Sequence, residues 1–251
     1  MIDDIAPRWR EVQRRVRESA AAAGRDPDGI RIVAVSKLQP PEKVAAAVRC
    51  GVVEIGENRV QEAARKRPLI EKLLEAGGFD AARVRWHMVG HLQSNKAARA
   101  ARLFDVVQSV DTVKVATLLS RAAGETGRGL EVFVEVNTSG EASKAGIRPD
   151  EVGAFVDDIA TLPNLKVVGF MTVGPLTEDP ERIIHAFRLL RTIRDEVRST
   201  RSQHPIGGEL SMGMSGDFEP AIAEGATVVR IGTAIFGPRP DAENGWLPTA
   251  R

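Results

Sequence analysis

Eight short apolar runs recur along the chain, each followed by a stretch with helical periodicity, and this alternation limits the fold more than any other feature. The runs cover residues 32–36, 52–55, 84–88, 106–109, 130–136, 167–170, 209–212 and 227–231. Runs this short and this continuously apolar suit strands of a parallel sheet buried on both faces. Helical patterns begin near Pro41, Glu57, Asn95, Thr112, Pro149, Asp179 and Gly216. Their starts carry proline at the first helical position, or Ser94, Asp111 and Ser215 placed as N-caps. The alternation predicts an α/β protein, a single (β/α)8 barrel of the TIM type. Its 251 residues match the common size of such a barrel, about 250. An open doubly wound sheet is the alternative, but no Gly-x-Gly-x-x-Gly follows the first run.

Ahead of the first run, Ile5, Trp9, Val12 and Val16 recur at helical spacing, with Asp3 or Asp4 to cap the helix and Gly24 to stop it. This N-terminal helix, residues 1–25, is expected to pack across the base of the barrel. The barrel should occupy 31–237 and a C-terminal tail 238–251, and no linker divides this one domain of 1–251. Bulk properties remove several function classes. The 35 basic and 34 acidic side chains leave a net charge of +1 with no basic block, so no nucleic-acid partner is expected. No apolar run is long enough to span a bilayer, and Met1-Ile2-Asp3-Asp4 lacks the apolar core of a signal peptide. Cys50 is the only cysteine, in keeping with a cytoplasmic location, and it reads as a packing residue at a helix end. No exposed apolar stripe forces a dimer, so a monomer is expected. The chain has no tyrosine.

Barrel enzymes and binders place their sites at the C-terminal ends of the strands. Polar residues gather at these places: Lys37; Glu57 and Asn58; His87 and His91; Ser109 and Asp111; Asn137; Met171 and Thr172; 211–215; and 230–233. Lys37 ends the first run. An amine fixed against an apolar wall loses solvation, its pKa falls, and its neutral form can attack a carbonyl. Taken alone, a strand-end lysine would pair with a carboxylate. Two anion cradles shift that balance. Ser211-Met212-Gly213-Met214-Ser215-Gly216 and Arg230-Ile231-Gly232-Thr233-Ala234 follow the seventh and eighth runs, where barrels often hold a phosphate. Arg230 should point to the barrel mouth, either beside a cofactor's pyridine nitrogen or in a salt bridge to Glu209 or Glu54. His87 and His91 lack the His-Glu-x-x-His pattern of a metal pair, and no metal is expected. The loop 137–146, with Lys144, reads as a lid over the site or as a solvated surface loop.

Val35-Ser36-Lys37, Gly56-Glu57-Asn58-Arg59, the stretch from His87 to Lys96, Gly169-Phe170-Met171-Thr172, Ser211-Met212-Gly213-Met214-Ser215 and Arg230-Ile231-Gly232-Thr233 together resemble the pyridoxal phosphate homeostasis proteins, relatives of the alanine racemase N-terminal domain. The resemblance spans nearly the whole chain. It implies a fold-type III barrel with pyridoxal 5'-phosphate on Lys37 as an internal aldimine. It places the phosphate on Ser215, Gly232 and Thr233, with Ser211 and Met214 in the same cofactor-binding motif. Arg230 would lie beside the pyridine nitrogen, and Asn58 and Met171 would flank the cofactor. It implies a protein that holds and delivers the cofactor, with apo-enzymes as partners, and no catalytic residues. Alanine racemases add a second β-rich domain and use a tyrosine base; this chain ends soon after the eighth run and has no tyrosine. Two rivals follow from the same residues, a weak amino-acid racemase and a Schiff-base aldolase without a cofactor.

Overall fold

A computed structural model describes residues 4–141, 143–201, 203–204 and 206–238. The expected tail beyond 238, and Asp3 as a helix cap, lie outside the described residues. Eight parallel strands close into a barrel in chain order. They are β1 (Arg31–Val35), β2 (Glu54–Glu57), β3 (Arg85–Met88), β4 (Val106–Val110), β5 (Leu130–Glu135), β6 (Leu165–Met171), β7 (Glu209–Ser211) and β8 (Val228–Ile231). Closure runs from Arg31 opposite Val228 to Ala34 opposite Ile231. The helices are α1 (Ile5–Ala22), α2 (Pro41–Arg49), α3 (Val60–Glu75), α4 (Ala97–Leu103), α5 (Val113–Thr126), α6 (Val152–Ile159), α7 (Pro180–Thr200), α8 (Phe218–Ala223) and α9 (Thr233–Phe236). None is long and apolar enough to cross a membrane.

Strand alternation sorts the side chains into two compartments. Val33, Val106, Phe133, Val168, Met171 and Val228 form a small inner cluster contributed by strands alone. Their neighbours Ala34, Val107, Val132, Val229 and Ile231 face outward into the larger core between sheet and helices. Two residues on from Val106 and Val228, the same inward direction is taken by Gln108 and Arg230, both buried. The barrel interior therefore has an apolar layer at mid-height, with Gln108 and Arg230 toward its C-terminal mouth and the Arg31 ion pairs to Glu54 and Glu209 at the N-terminal strand ends.

Three expectations need correction. β2 begins at Glu54, because Gly56 and Glu57 pair with His87 and Met88 and are buried. An apolarity criterion stops short of them, since Glu57 is tolerated inside only by virtue of a buried lysine described below. The helix α1 packs against α8, α9 and α2, not across the base. The helix after β8 is a single turn, so α1 covers the flank that a full eighth helix would cover. Caps also differ. Asp4 stands at the N-cap of α1 without a capping side-chain bond, and Thr112, not Asp111, caps α5 by accepting from Val115 N–H. Ser94 opens a 3₁₀ turn before α4.

Candidate functional site

Lys37 stands on a corner that the chain makes immediately after β1. Gln39 N–H returns to Ser36 O at 3.0 Å, and Leu38 between them adopts φ +62°. A left-handed leucine costs about 1–2 kcal/mol, so something must hold it. Leu38 N–H donates to Glu62 Oε1 at 2.6 Å. The ammonium of Lys66 donates to Ser36 O at 2.7 Å and to Glu62 Oε1 at 2.9 Å, and it meets Glu57 Oε1 at 2.5 Å. Ser36 Oγ donates to the same Glu57 oxygen at 2.5 Å. Lys66 and Glu57 are both 0% exposed. One ammonium cannot neutralise two carboxylates in so buried a site. Burial accordingly pushes the Glu57 carboxyl up to about 7, with Lys66 pulling the other way. Glu62 and Lys66 escaped the sequence reading. Their signal was a lysine on the buried face of α3, in register with Val60, Ala63, Ile70 and Leu74.

The two cradles meet beside this corner. Gly213 has φ +91° and leaves 2.6 Å between an added Cβ and the Cβ of Ala221, so only glycine fits. Ser215 does not cap α8: Asp217 holds that position and accepts from Met214 N–H at 2.5 Å. The hydroxyl oxygen of Ser215 instead accepts from the N–H groups of Gly232 and Ala234, both at 3.3 Å. Two main-chain donors thus converge on one oxygen at the first turn of α9, an arrangement suited to an anion. An added Cβ on Gly232 would lie 3.1 Å from Val35 O, which puts this turn against the end of β1, two residues before Lys37. Thr233 and Met214 are exposed at the rim.

Arg230 is buried and fixed by two hydrogen bonds, to Ser211 Oγ at 2.6 Å and to Thr172 O at 2.7 Å. Ser211 donates in turn to Gln108 Oε1 at 2.7 Å. The amide of Gln108 donates to His87 Nδ1 at 3.0 Å, which leaves the His87 proton on Nε2, 3.2 Å from Glu54 Oε2. A polar ladder therefore crosses the barrel from β2 to β8 and ends at Arg230. Burial pulls the guanidinium down to about 10 while Glu135 and Asp217 pull it up; it remains charged at neutral pH. The alternative salt bridges to Glu54 or Glu209 do not form, because both acids pair with Arg31. His87 has the structural role expected of it. Gln108, which completes the ladder, carried no sequence signal beyond its place in an apolar strand.

Asn58 follows β2 and is held by a close approach: an added Cβ on Gly90 would lie 2.4 Å from Asn58 O. Met171 is fully buried in the inner cluster at the end of β6, where it forms part of the apolar floor. The loop after β5 is cross-braced, with Asn137 Nδ2 donating to Glu141 O at 2.9 Å and Lys144 Nζ to Gly174 O at 2.9 Å. An open cleft of about 670 Å³ lies between this loop and the start of α7, lined by Thr138, Ser139, Arg182 and His185 among others. None of the candidate residues lines it.

Known proteins are similar to this chain over most of its length. The family described as "Alanine racemase, N-terminal domain" matches residues 8–240. The pyridoxal phosphate homeostasis protein of Vibrio alginolyticus is 39% identical over 225 residues, 90% of this chain and 93% of that protein. Its counterpart from Pseudomonas aeruginosa is 40% identical over 235 residues, 94% of this chain and 96% of that protein. A solved structure of PipY from Synechococcus elongatus, with PLP bound, superposes with a TM-score of 0.75 at 34% identity, covering 88% of this chain and all of PipY. With its closed eight-stranded barrel and this similarity over nine-tenths of its length, the chain belongs to the pyridoxal phosphate homeostasis protein family, within the alanine racemase N-terminal domain group.

Proposed function

We propose that this chain binds pyridoxal 5'-phosphate and serves intracellular vitamin B6 homeostasis, holding the cofactor on Lys37 and delivering it to apo-enzymes. The observation that carries the reading is the convergence of the braced Lys37 corner with two N–H donors aimed at one oxygen. The donor set fits the group. Ser215, Gly232 and Thr233 would take the phosphate, Arg230 the pyridine nitrogen and Lys37 the aldehyde, with Asn58, Met171, Ser211 and Met214 around them. When bound, the cofactor supplies an aldehyde that captures amines.

Holding is favoured over turnover by two features of the chain. Arg230 keeps a positive charge where the ring nitrogen would lie, which opposes protonation of that nitrogen and weakens the ring as an electron sink. The chain also has no tyrosine to serve as a second base. We read it as a monomer of the cytoplasm, in keeping with its lone cysteine.

The test is the visible absorption of purified protein with added pyridoxal phosphate. Wild type should show a yellow band that borohydride removes, Lys37→Ala should show none, and Ser215→Ala should bind about tenfold more weakly, the loss of one hydrogen bond to a charged group. No band in wild type would refute the reading. Transfer to an apo-enzyme no faster than free dissociation would remove delivery from it. Exchange of the α-deuterium of alanine, lost in Lys37→Ala, would instead establish slow racemisation.

A further inference from the structure

We propose that the barrel mouth carries a divalent-cation site built from His91, Asp111 and Glu135, suited to Zn²⁺ or Mn²⁺. The three residues come from adjacent strand ends: His91 from the loop after β3, Asp111 from the residue following β4, and Glu135 from the last position of β5. One donor atom from each lies within 4.8 Å of the other two, and His91 Nδ1 is 3.4 Å from Asp111 Oδ2. Two ligands bound to one ion at about 2.1 Å stand about 3.0–3.4 Å apart. The imidazole–carboxylate pair already has that spacing, and only a small inward movement is required of the third ligand.

A second observation points to an ion. Glu135 is 6% exposed, and its Oε2 has no hydrogen-bond partner among the described residues; nor has Oδ1 of Asp111. A buried carboxylate oxygen without a donor is costly, and two such acids side by side more so. Arg230 bears on Glu135 electrostatically, but its guanidinium bonds go to Ser211 and Thr172. A bound cation would supply the missing charge.

The donor chemistry selects the ion. One imidazole and two carboxylates form a borderline-hard set, which disfavours Cu(I) for want of a thiolate and Ca²⁺ because of the nitrogen. The side chain of His91 is 57% exposed, so water has room to complete the coordination. His87, four residues earlier, takes no part, being engaged with Gln108 and Glu54.

The test is calorimetric titration of the full chain, stripped of metal by a chelator, with Zn²⁺ and separately with Mn²⁺, the Mn²⁺ series checked by loss of the free-ion EPR signal. One equivalent should bind and raise the thermal midpoint. His91→Ala and Asp111→Asn should each weaken binding at least about tenfold, as removal of one of three ligands requires. His91 is exposed, so its variant remains informative if Asp111→Asn folds poorly. No stoichiometric binding of either ion overturns the proposal. So does binding that His91→Ala leaves unchanged, which would mark adventitious surface sites. A rise in stability of Asp111→Asn without ion binding by wild type would mean that the two acids share a proton. The readout is the ion itself, so it stands or falls independently of pyridoxal phosphate binding.

Discussion

Replacing Lys66 with methionine should disturb both the stability of this protein and its hold on the cofactor. Methionine keeps the length and volume of the side chain but removes the ammonium that touches Ser36 O, Glu62 and Glu57 at 2.7, 2.9 and 2.5 Å. Glu57 and Glu62 would then face one another at 0% and 2% exposure without the ammonium that pairs with both. Taking one partner from a buried ion pair costs about 3–5 kcal/mol, which lowers the midpoint of a chain this size by roughly 6–20 °C. The Ser36–Gln39 corner would lose its main brace, freeing Leu38 to relax from φ +62° and moving Lys37 off its mark. Urea denaturation and an absorbance titration with pyridoxal phosphate measure the two effects separately. Adding Glu62→Gln should restore part of the stability, since the side-chain amide oxygen can still accept from Leu38 N–H while one buried charge disappears. A Lys66→Met protein within about 1 kcal/mol of wild type, far below the penalty for a broken buried pair, and with unchanged cofactor affinity would refute the reasoning.

Other consequences can be checked by similar means. The folded-state pKa of Glu57 is raised from 4.5 to about 7, so the folded state binds the extra proton. Its contribution to stability is full below pH about 4.5 and is lost as pH rises toward 7, up to about 3 kcal/mol at 1.36 kcal/mol per unit. Glu57→Gln mimics the protonated acid and should match wild type near pH 5 but exceed it near pH 8. A variant less stable than wild type at pH 8 would contradict this assignment. Gly213→Ala must place a Cβ 2.6 Å from that of Ala221 at φ +91°. Left-handed strain and overpacking together should cost about 2–5 kcal/mol, and a loss below about 1 kcal/mol in denaturant titration would show that the loop yields more easily than the packing suggests.

The alternation of apolar runs and helical stretches determined the barrel, because a parallel strand buried on both faces must be apolar and its crossover must be helical. Strand-end position likewise marked Lys37, Ser215, Gly232 and Arg230, since a residue at a C-terminal strand end faces the mouth whatever the details. Chain distance hid the rest. The brace on the Lys37 corner joins residues 36, 57, 62 and 66, and nothing in a linear reading aims a lysine of α3 at a turn 30 residues earlier. Ser215 looked like a local helix cap, yet its hydroxyl serves a turn 17 residues away. The ladder from Glu54 to Arg230 spans five strands and exists only once the barrel closes. Local periodicity encodes which face a side chain takes. Which buried polar groups meet is decided by closure, because each must find its partner inside the barrel or bear the cost of burial alone.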